Sequence, residues 1–388
     1  MRLRPDKLGA FLTLLVIYGM AWAPFATLKP NRIVQGQARA LSEALPAQAL
    51  VLVSVLLAAA ALIAFLRAAA WLKLAAGLAA LLTLFMAIGQ AADFLAAAGN
   101  PYARVSPASG FWLLLFAFSL MTIDALARLR PSPLLRIVLL GLAVAAFAGL
   151  KLSGDLDGLS VMKEYASRAD SFWGEAMRHV SLAIGSLVAA AVVGFPVGLL
   201  CHRVPPLRKG ILDLLNVIQT IPSMALFGLL IAPFAWIAAN IPGASAIGVA
   251  GIGAAPAFFA LFLYSLLPVV ANTVAGLAGI PAETRDAARG IGLSRSELLL
   301  QVEIPLALPV ILTAVRIVLV QNTGMATIAA LIGGGGFGVF VFQGLGQMAV
   351  DLVLLGALPT VALAFAAATI MNAIVDTVSR IPEQGVRA

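Results

Sequence analysis

Charge is scarce in this sequence, and cysteine and histidine are nearly absent. Only 11% of the 388 residues are charged, while 62% are hydrophobic and the mean hydropathy is +1.04. An average soluble domain carries about 25% charged residues. Too little polar surface remains to cover a water-soluble globule, which excludes a soluble enzyme, a secreted disulfide scaffold and a nucleic-acid-binding domain. The single cysteine, Cys201, excludes an intramolecular disulfide, a cysteine-based zinc site and a redox pair. The two histidines, His179 and His202, stand too far apart for an H-E-x-x-H metal motif. No lysine follows a glycine, so a G-x-x-x-x-G-K-[ST] phosphate loop cannot exist, and a G-x-S-x-G nucleophile elbow is missing too. We therefore expect no catalysis, no metal and no cofactor bound by this chain.

What the sequence has is long apolar runs. Runs of ~20 apolar residues can each cross a hydrocarbon core of about 30 Å as a helix. Ten such segments separate at charged or Pro/Gly-bearing breaks, near 8–28, 47–66, 72–92, 109–127, 134–150, 179–201, 211–236, 245–270, 307–332 and 352–376. Helices are required because an unpaired backbone group in lipid costs several kcal/mol and no barrel-type alternation is visible. The start, Met1 to Lys7 followed by apolar residues, reads as a retained first helix rather than a cleaved signal. The net charge of +8 and the pI near 10.1 then report topology rather than nucleic acid. With the N-terminus inside, 16 of the 25 basic residues fall on the cytoplasmic side and 8 outside, Arg316 being the one within a span. Arg2, Arg4, Arg32 and Arg387 enter that count. The expectation is an all-α polytopic membrane protein of about ten helices with both termini cytoplasmic.

Ionisable residues inside a membrane are functional candidates by default. Arg316 lies mid-span, where a structural pairing with backbone carbonyls or an acid is expected rather than a direct ligand role. Asp93, Asp124, Asp351 and Asp376 sit near span ends and read as solvated terminal residues. Pro222, Pro233, Pro256 and Pro268 break helices where backbone lines a cavity or flexes. Gly333 to Gly336 with Gly338 read as a flexible outer turn able to gate a path or touch a receptor. As candidates for the substrate path we take Pro222, Ser223, Asn322, Thr323, Gly334 and Gly335. Phe227, Trp236, Phe258, Phe259, Phe262 and Tyr264 supply aromatic faces, although such residues usually face lipid or core.

The inner segment from Pro281 to Pro305 departs from the other short basic loops. PAETRDAARGIGLSRSELLLQVEIP reads as a helical hairpin: a polar helix at Ala282–Arg289, a break at Gly290 and Gly292, then a second helix. Ser294 and Glu297 have capping-box spacing at its start. Leu298, Leu299, Leu300 and Val302 give it an apolar face. Such an element suits docking to a soluble cytoplasmic partner, the plainer alternative being an interfacial helix.

These residues resemble the cytoplasmic signature of binding-protein-dependent ABC importer permeases: Glu-Ala-Ala, three residues, Gly, nine residues, Ile-x-Leu-Pro. Here it reads Asp286-Ala287-Ala288, Gly292, then Val302-Glu303-Ile304-Pro305, with every spacing kept and three conservative replacements. QTIPSMALFGLLI from Gln219, NTVAGL from Asn272, LPVILTAVRIVLV from Leu308 and IGGGGFGVFVFQG from Ile332 extend the likeness over roughly 175–380. Together they look like the osmoprotectant branch, which takes up glycine betaine, choline and carnitine.

The resemblance implies a C-terminal five-helix type I importer permease core at 179–380 with a coupling segment at 275–306. Ahead of it lie about five accessory transmembrane helices (1–150) and a periplasmic loop (151–178). Arg285, Asp286, Ala287, Ala288, Gly292, Val302, Ile304 and Pro305 would dock into a cytoplasmic ATPase, with Arg285, Arg289 and Arg295 able to pair with acids there. ATP and Mg would be used by that partner. A second permease subunit (itself or a homologue), a periplasmic substrate-binding protein and bacterial inner-membrane lipid complete the expected partners, and nucleic acid is not among them. The rival reading is an ion-gradient-driven secondary transporter of 5+5 inverted repeats.

Overall fold

The computed structural model describes residues 6–31, 34–96, 100 and 102–384, so Arg2, Arg4, Arg32 and Arg387 of the topology count lie outside the described residues. Among the described residues nine helices are long and apolar enough to cross a membrane, and Lys7–Ala21 is a shorter apolar helix. The chain divides into two compact units, Met1–Ser167 and Arg168–Ala388.

The first unit runs α1 (Lys7–Ala21), β1 (Ala26–Lys29), β2 (Gln37–Arg39), α2 (Leu41–Ala44), α3 (Ala47–Phe65), α4 (Ala70–Leu95), β3 (Arg104–Pro107), α5 (Ser109–Leu129), α6 (Pro133–Leu152) and α7 (Ser160–Ala166). Leu57, Leu84, Phe111, Leu114 and Phe118 fill the core between α3, α4 and α5. The strands form an antiparallel sheet in the order β2-β1-β3, which the hydropathy pattern gave no hint of. Three or four residues per strand are too few to show alternation.

At the other end of these helices charge is clasped rather than solvated. Lys73, 4% exposed, donates to the Asp6 carboxylate at 2.6 Å and to the Ala64 carbonyl at 3.2 Å. Arg128 reaches Asp6 at 3.4 Å and Asp124 at 2.8 Å. The Asp6 main-chain N–H donates to the Phe65 carbonyl, so α1, α3, α4 and α5 meet at this one aspartate. The Lys73 hydrogen bond holds the Asp6 carboxyl below its ordinary range. Asp124, near the end of α5 as expected, keeps partial exposure while pairing with Arg128 one turn on.

The second unit runs α8 (Ala169–Arg203), α9 (Pro205–Thr220), α10 (Ser223–Leu229), α11 (Ile231–Asn240), α12 (Ala254–Ala278), α13 (Ala282–Gly290), α14 (Arg295–Glu297), α15 (Ile304–Met325), α16 (Gly338–Gly346) and α17 (Val350–Gln384). A six-residue π-helical stretch, Leu298–Glu303, joins α14 to α15 without a break. Small residues let α8 and α12 approach closely: a Cβ at Gly198 would lie 2.6 Å from the Thr273 Cβ. Close approach of this kind replaces the hydrophobic drive that lipid cannot supply.

One expected span is wrong in outline. The segment 211–236 is split at Ile221–Pro222, because proline lacks the N–H that would continue the helix. The crossing helix is Ser223–Asn240 and α9 precedes it as a separate helix. The first expected span, 8–28, likewise ends at Ala21 and turns into β1.

Candidate coupling and translocation site

The hairpin of the second unit is ordered as its sequence predicts. Glu283 lies in the first turn of α13 and Arg289 in the last, each matched to the helix dipole. Gly292 takes φ +92° with nothing within 4 Å of a would-be Cβ, so its glycine is required by backbone conformation and not by crowding. Ser294 and Glu297 close a complete capping box, the Ser294 hydroxyl accepting from Glu297 N–H and the Glu297 carboxylate accepting from Ser294 N–H at 2.8 Å. Pro305 falls in the first turn of α15, where a missing N–H costs little, and Pro309 lies inside the helix without breaking it.

The two faces of α13 differ in kind. Asp286, Ala287, Gly292 and Ile291 are exposed, Ile291 at 80%, and Asp286 and Arg289 pair with each other at 3.2 Å. The opposite face carries Ala288, which is buried, and Arg285, which points inward. Arg285 donates to Glu303 at 3.0 Å and to the Leu277 carbonyl at the end of α12. Glu303, 5% exposed, is also 3.8 Å from Arg203 at the end of α8. Arg285 is thus turned towards its own chain, with two of its donors engaged there, whereas Arg289 is exposed on the face open to a partner. Val302 and Ile304 are half-buried and Pro305 is exposed.

Glu303 was missed in the sequence as a residue with a role. The signal was a lone acid in LLLQVEIPLALP, where an unpaired carboxylate could not be buried. It joins the coupling helix to the ends of α8 and α12 through two arginines.

The six path candidates are not brought together. Pro222 and Ser223 line a cavity of about 330 Å³ at the helix break, with Gln219, Tyr264, Gln321 and Met325 around it. The Tyr264 hydroxyl donates to the Ile221 carbonyl and Gln219 donates to the Tyr264 carbonyl at 2.8 Å, which holds the break open. Asn322 and Thr323 turn away into packed interior. Asn322 donates to Ser186 and Ser265, both at 2.9 Å, stitching α15 to α8 and α12.

Gly334 and Gly335 belong to a buried, locked turn instead of a flexible one. The Gly336 N–H donates to Glu175 at 2.6 Å and the Phe337 N–H to His179 Nδ1 at 3.3 Å. His179 Nε2 in turn meets the Thr323 carbonyl at 2.9 Å, which fixes the proton on Nε2. Gly333, Gly335 and Gly336 have φ of +77°, +78° and +87°, and a Cβ at Gly334 would press on Ala257 and Ala329 at 2.9 Å. Glycine is needed here for shape.

Of the aromatic candidates, Phe227 and Tyr264 are buried in the core of this unit, while Trp236 stands 63% exposed. They do not converge into a cage. Arg316 hydrogen-bonds the side chain of Asn372 on α17, a neutral amide in place of the expected acid or main-chain carbonyl. With Gln321 they line a second cavity, of about 390 Å³.

Comparisons with known proteins divide along the same line. Residues 176–387 match the family described as binding-protein-dependent transport system inner membrane component. Residues 6–162 match the N-terminal domain of the ABC transporter permease YehY. The osmoprotectant import permease protein OsmW of Salmonella typhimurium is 38% identical over 203 residues, 52% of this chain and 88% of that protein. The carnitine transport permease protein OpuCB of Listeria monocytogenes is 34% identical, covering 48% of this chain and 78% of that protein. The choline transport system permease protein OpuBB of Bacillus subtilis is 31% identical, covering 53% and 84%. Among solved structures, the inward-facing MetNI methionine ABC transporter matches 54% of this chain and 95% of that chain, with 22% identity and a TM-score of 0.46.

Proposed function

This chain belongs to the family of binding-protein-dependent transport system inner membrane components, and from that premise we propose that it is the permease subunit of an ATP-driven importer of small osmoprotectants such as glycine betaine. Its relatives bear the names of osmoprotectant, carnitine and choline permeases. ATP and Mg are used by a separate cytoplasmic ATPase, a second permease subunit completes the path, and a periplasmic binding protein delivers the solute. Both termini lie on the cytoplasmic side of the bacterial inner membrane.

One observation carries this reading: α13 presents an exposed face of Asp286, Ala287 and Ile291 while its other face is fastened to α12 and to the π-helical root of α15 through Arg285 and Glu303. A grip on the exposed face is transmitted to the membrane helices because the buried face cannot slip. Coupled closure of two ATPase subunits then switches the core between inward and outward access.

The test is uptake of glycine betaine into proteoliposomes holding the permease, its ATPase and its receptor. Wild-type uptake requires ATP. Asp286→Lys and Gly292→Trp abolish it and release the ATPase from the detergent-solubilised complex. Uptake driven by an ion gradient with no ATPase present contradicts the proposal and restores the secondary-transporter reading. Against that rival, among the described residues the three-stranded sheet lies in the first unit and the π-helical hairpin in the second, so the two halves share no evident pattern.

A further inference from the structure

Arg316 stands 12 residues beyond Ile304 on α15, about 18 Å along the helix at 1.5 Å per residue. A guanidinium at that depth is costly and is normally paired or turned to a polar path. Among the described residues Arg316 has no ion pair; its partner is the Asn372 side-chain carbonyl, which accepts one hydrogen bond and leaves the positive charge uncompensated. Four of the five guanidinium donors remain for another acceptor. The same two side chains, with Gln321, are the polar part of the 390 Å³ cavity, whose remaining wall is Ile317, Val320 and Ala368. Gln321 also lines the cavity at the Ile221–Pro222 break.

We propose that Arg316, held by Asn372, is a carboxylate-binding station in the translocation path, and that it selects zwitterionic, carboxylate-bearing osmolytes over cations such as choline. The inference rests on the importer reading above. Repulsion between Arg316 and a quaternary ammonium is real, but a betaine also carries an acid, and the planar guanidinium fork matches a carboxylate in two-point geometry. Binding the acid at Arg316 leaves the ammonium end towards Gln321 and the neighbouring cavity. Choline has no group to offset the repulsion.

Titration of the purified full chain in lipid nanodiscs with glycine betaine and with choline, read by thermal stability, tests this without a receptor. Glycine betaine is expected to stabilise the wild type at concentrations where choline does not. Losing charge-assisted hydrogen bonds worth roughly 1.5–3 kcal/mol, Arg316→Gln shifts the glycine betaine response to about ten- to a hundredfold higher concentration. Should Arg316→Gln fail to fold, Arg316→Lys keeps the charge, loses the fork, and still weakens the response. Equal responses to the two solutes, no wild-type response, or an unchanged response in both variants overturns the proposal. So does an assembled complex in which a second subunit places its own carboxylate on Arg316. Undiminished ATP-driven uptake by Arg316→Gln removes the station and leaves the importer reading intact. Glycine betaine binding through Arg316 without any ATP-driven uptake does the reverse.

Discussion

The two units of this chain handle proline in opposite ways. In the first unit α1, α3, α4 and α5 carry no internal proline, and α6 has its proline at the first helical position, where the missing N–H costs nothing. In the second, Pro196, Pro268, Pro309 and Pro359 all lie inside helices beyond the first turn. Each removes a main-chain hydrogen bond, a loss membrane helices tolerate where neighbours or a local change of register re-satisfy the carbonyl. The second unit adds a split helix at Ile221–Pro222 and a π-helical stretch before Pro305. One unit is built of uninterrupted rods; the other is built of jointed ones. The jointed helices are found where the importer family matches.

The contrast predicts that similar electrostatic damage has different consequences in the two units. The largest effect is expected at the buried joint. Glu303→Ala strands Arg285 beside the α12 terminus and costs about 3–5 kcal/mol, the range for breaking a buried pair. Thermal unfolding in detergent measures that loss, and uptake per folded complex falls as well. Lys73→Met breaks the clasp of the first unit at a comparable cost in stability, yet uptake per folded complex stays at the wild-type level. Loss of uptake in both variants alike would erase the distinction between rods and joints.

A smaller loss is expected in the glycine turn. A Cβ at Gly338 would collide with the Thr327 carbonyl, so Gly338→Ala forces a backbone shift costing about 1–3 kcal/mol, measured as a lower thermal midpoint. Smaller again is Asn322→Leu. Ser186 and Ser265 also donate to the carbonyls of Leu182 and Leu261, so both hydroxyls keep partners when the amide is removed. A decrease of roughly 0.6 kcal/mol, typical of hydrogen bonds between membrane helices, is expected in the same assay.

The least conspicuous effect at neutral pH concerns Asp6. Its folded carboxyl titrates below the ordinary value, so its contribution is fully present above about pH 4 and is lost as pH falls through the lower folded value. Thermal stability of the full chain is expected to hold between pH 7 and pH 5 and to decline below. Lys73→Met, which removes the cause of the shift, flattens that decline.

Hydropathy sufficed for the membrane class and nearly every crossing segment, because burial in lipid demands long apolar runs whatever the tertiary packing. The hairpin was legible too, since Pro281, Gly292 and the Ser294–Glu297 pair act over a few residues. Contacts between distant helices were not. That Arg285 faces Glu303 and Leu277 depends on how α13 folds back, and that Arg316 finds Asn372, 56 positions later, depends on how α15 packs against α17. The glycine run looked mobile because composition cannot show that Glu175 and His179 reach it from another helix.

Cross-linking from the tip of the coupling hairpin tests the central claim most directly. With Cys201→Ser as background, Ile291→Cys is assembled with the cognate ATPase carrying cysteines along its permease-facing groove. The account predicts a disulfide between hairpin and ATPase in the intact complex, with a yield that changes when ATP is bound. A hairpin that cross-links to no ATPase position in a complex active for uptake would contradict it.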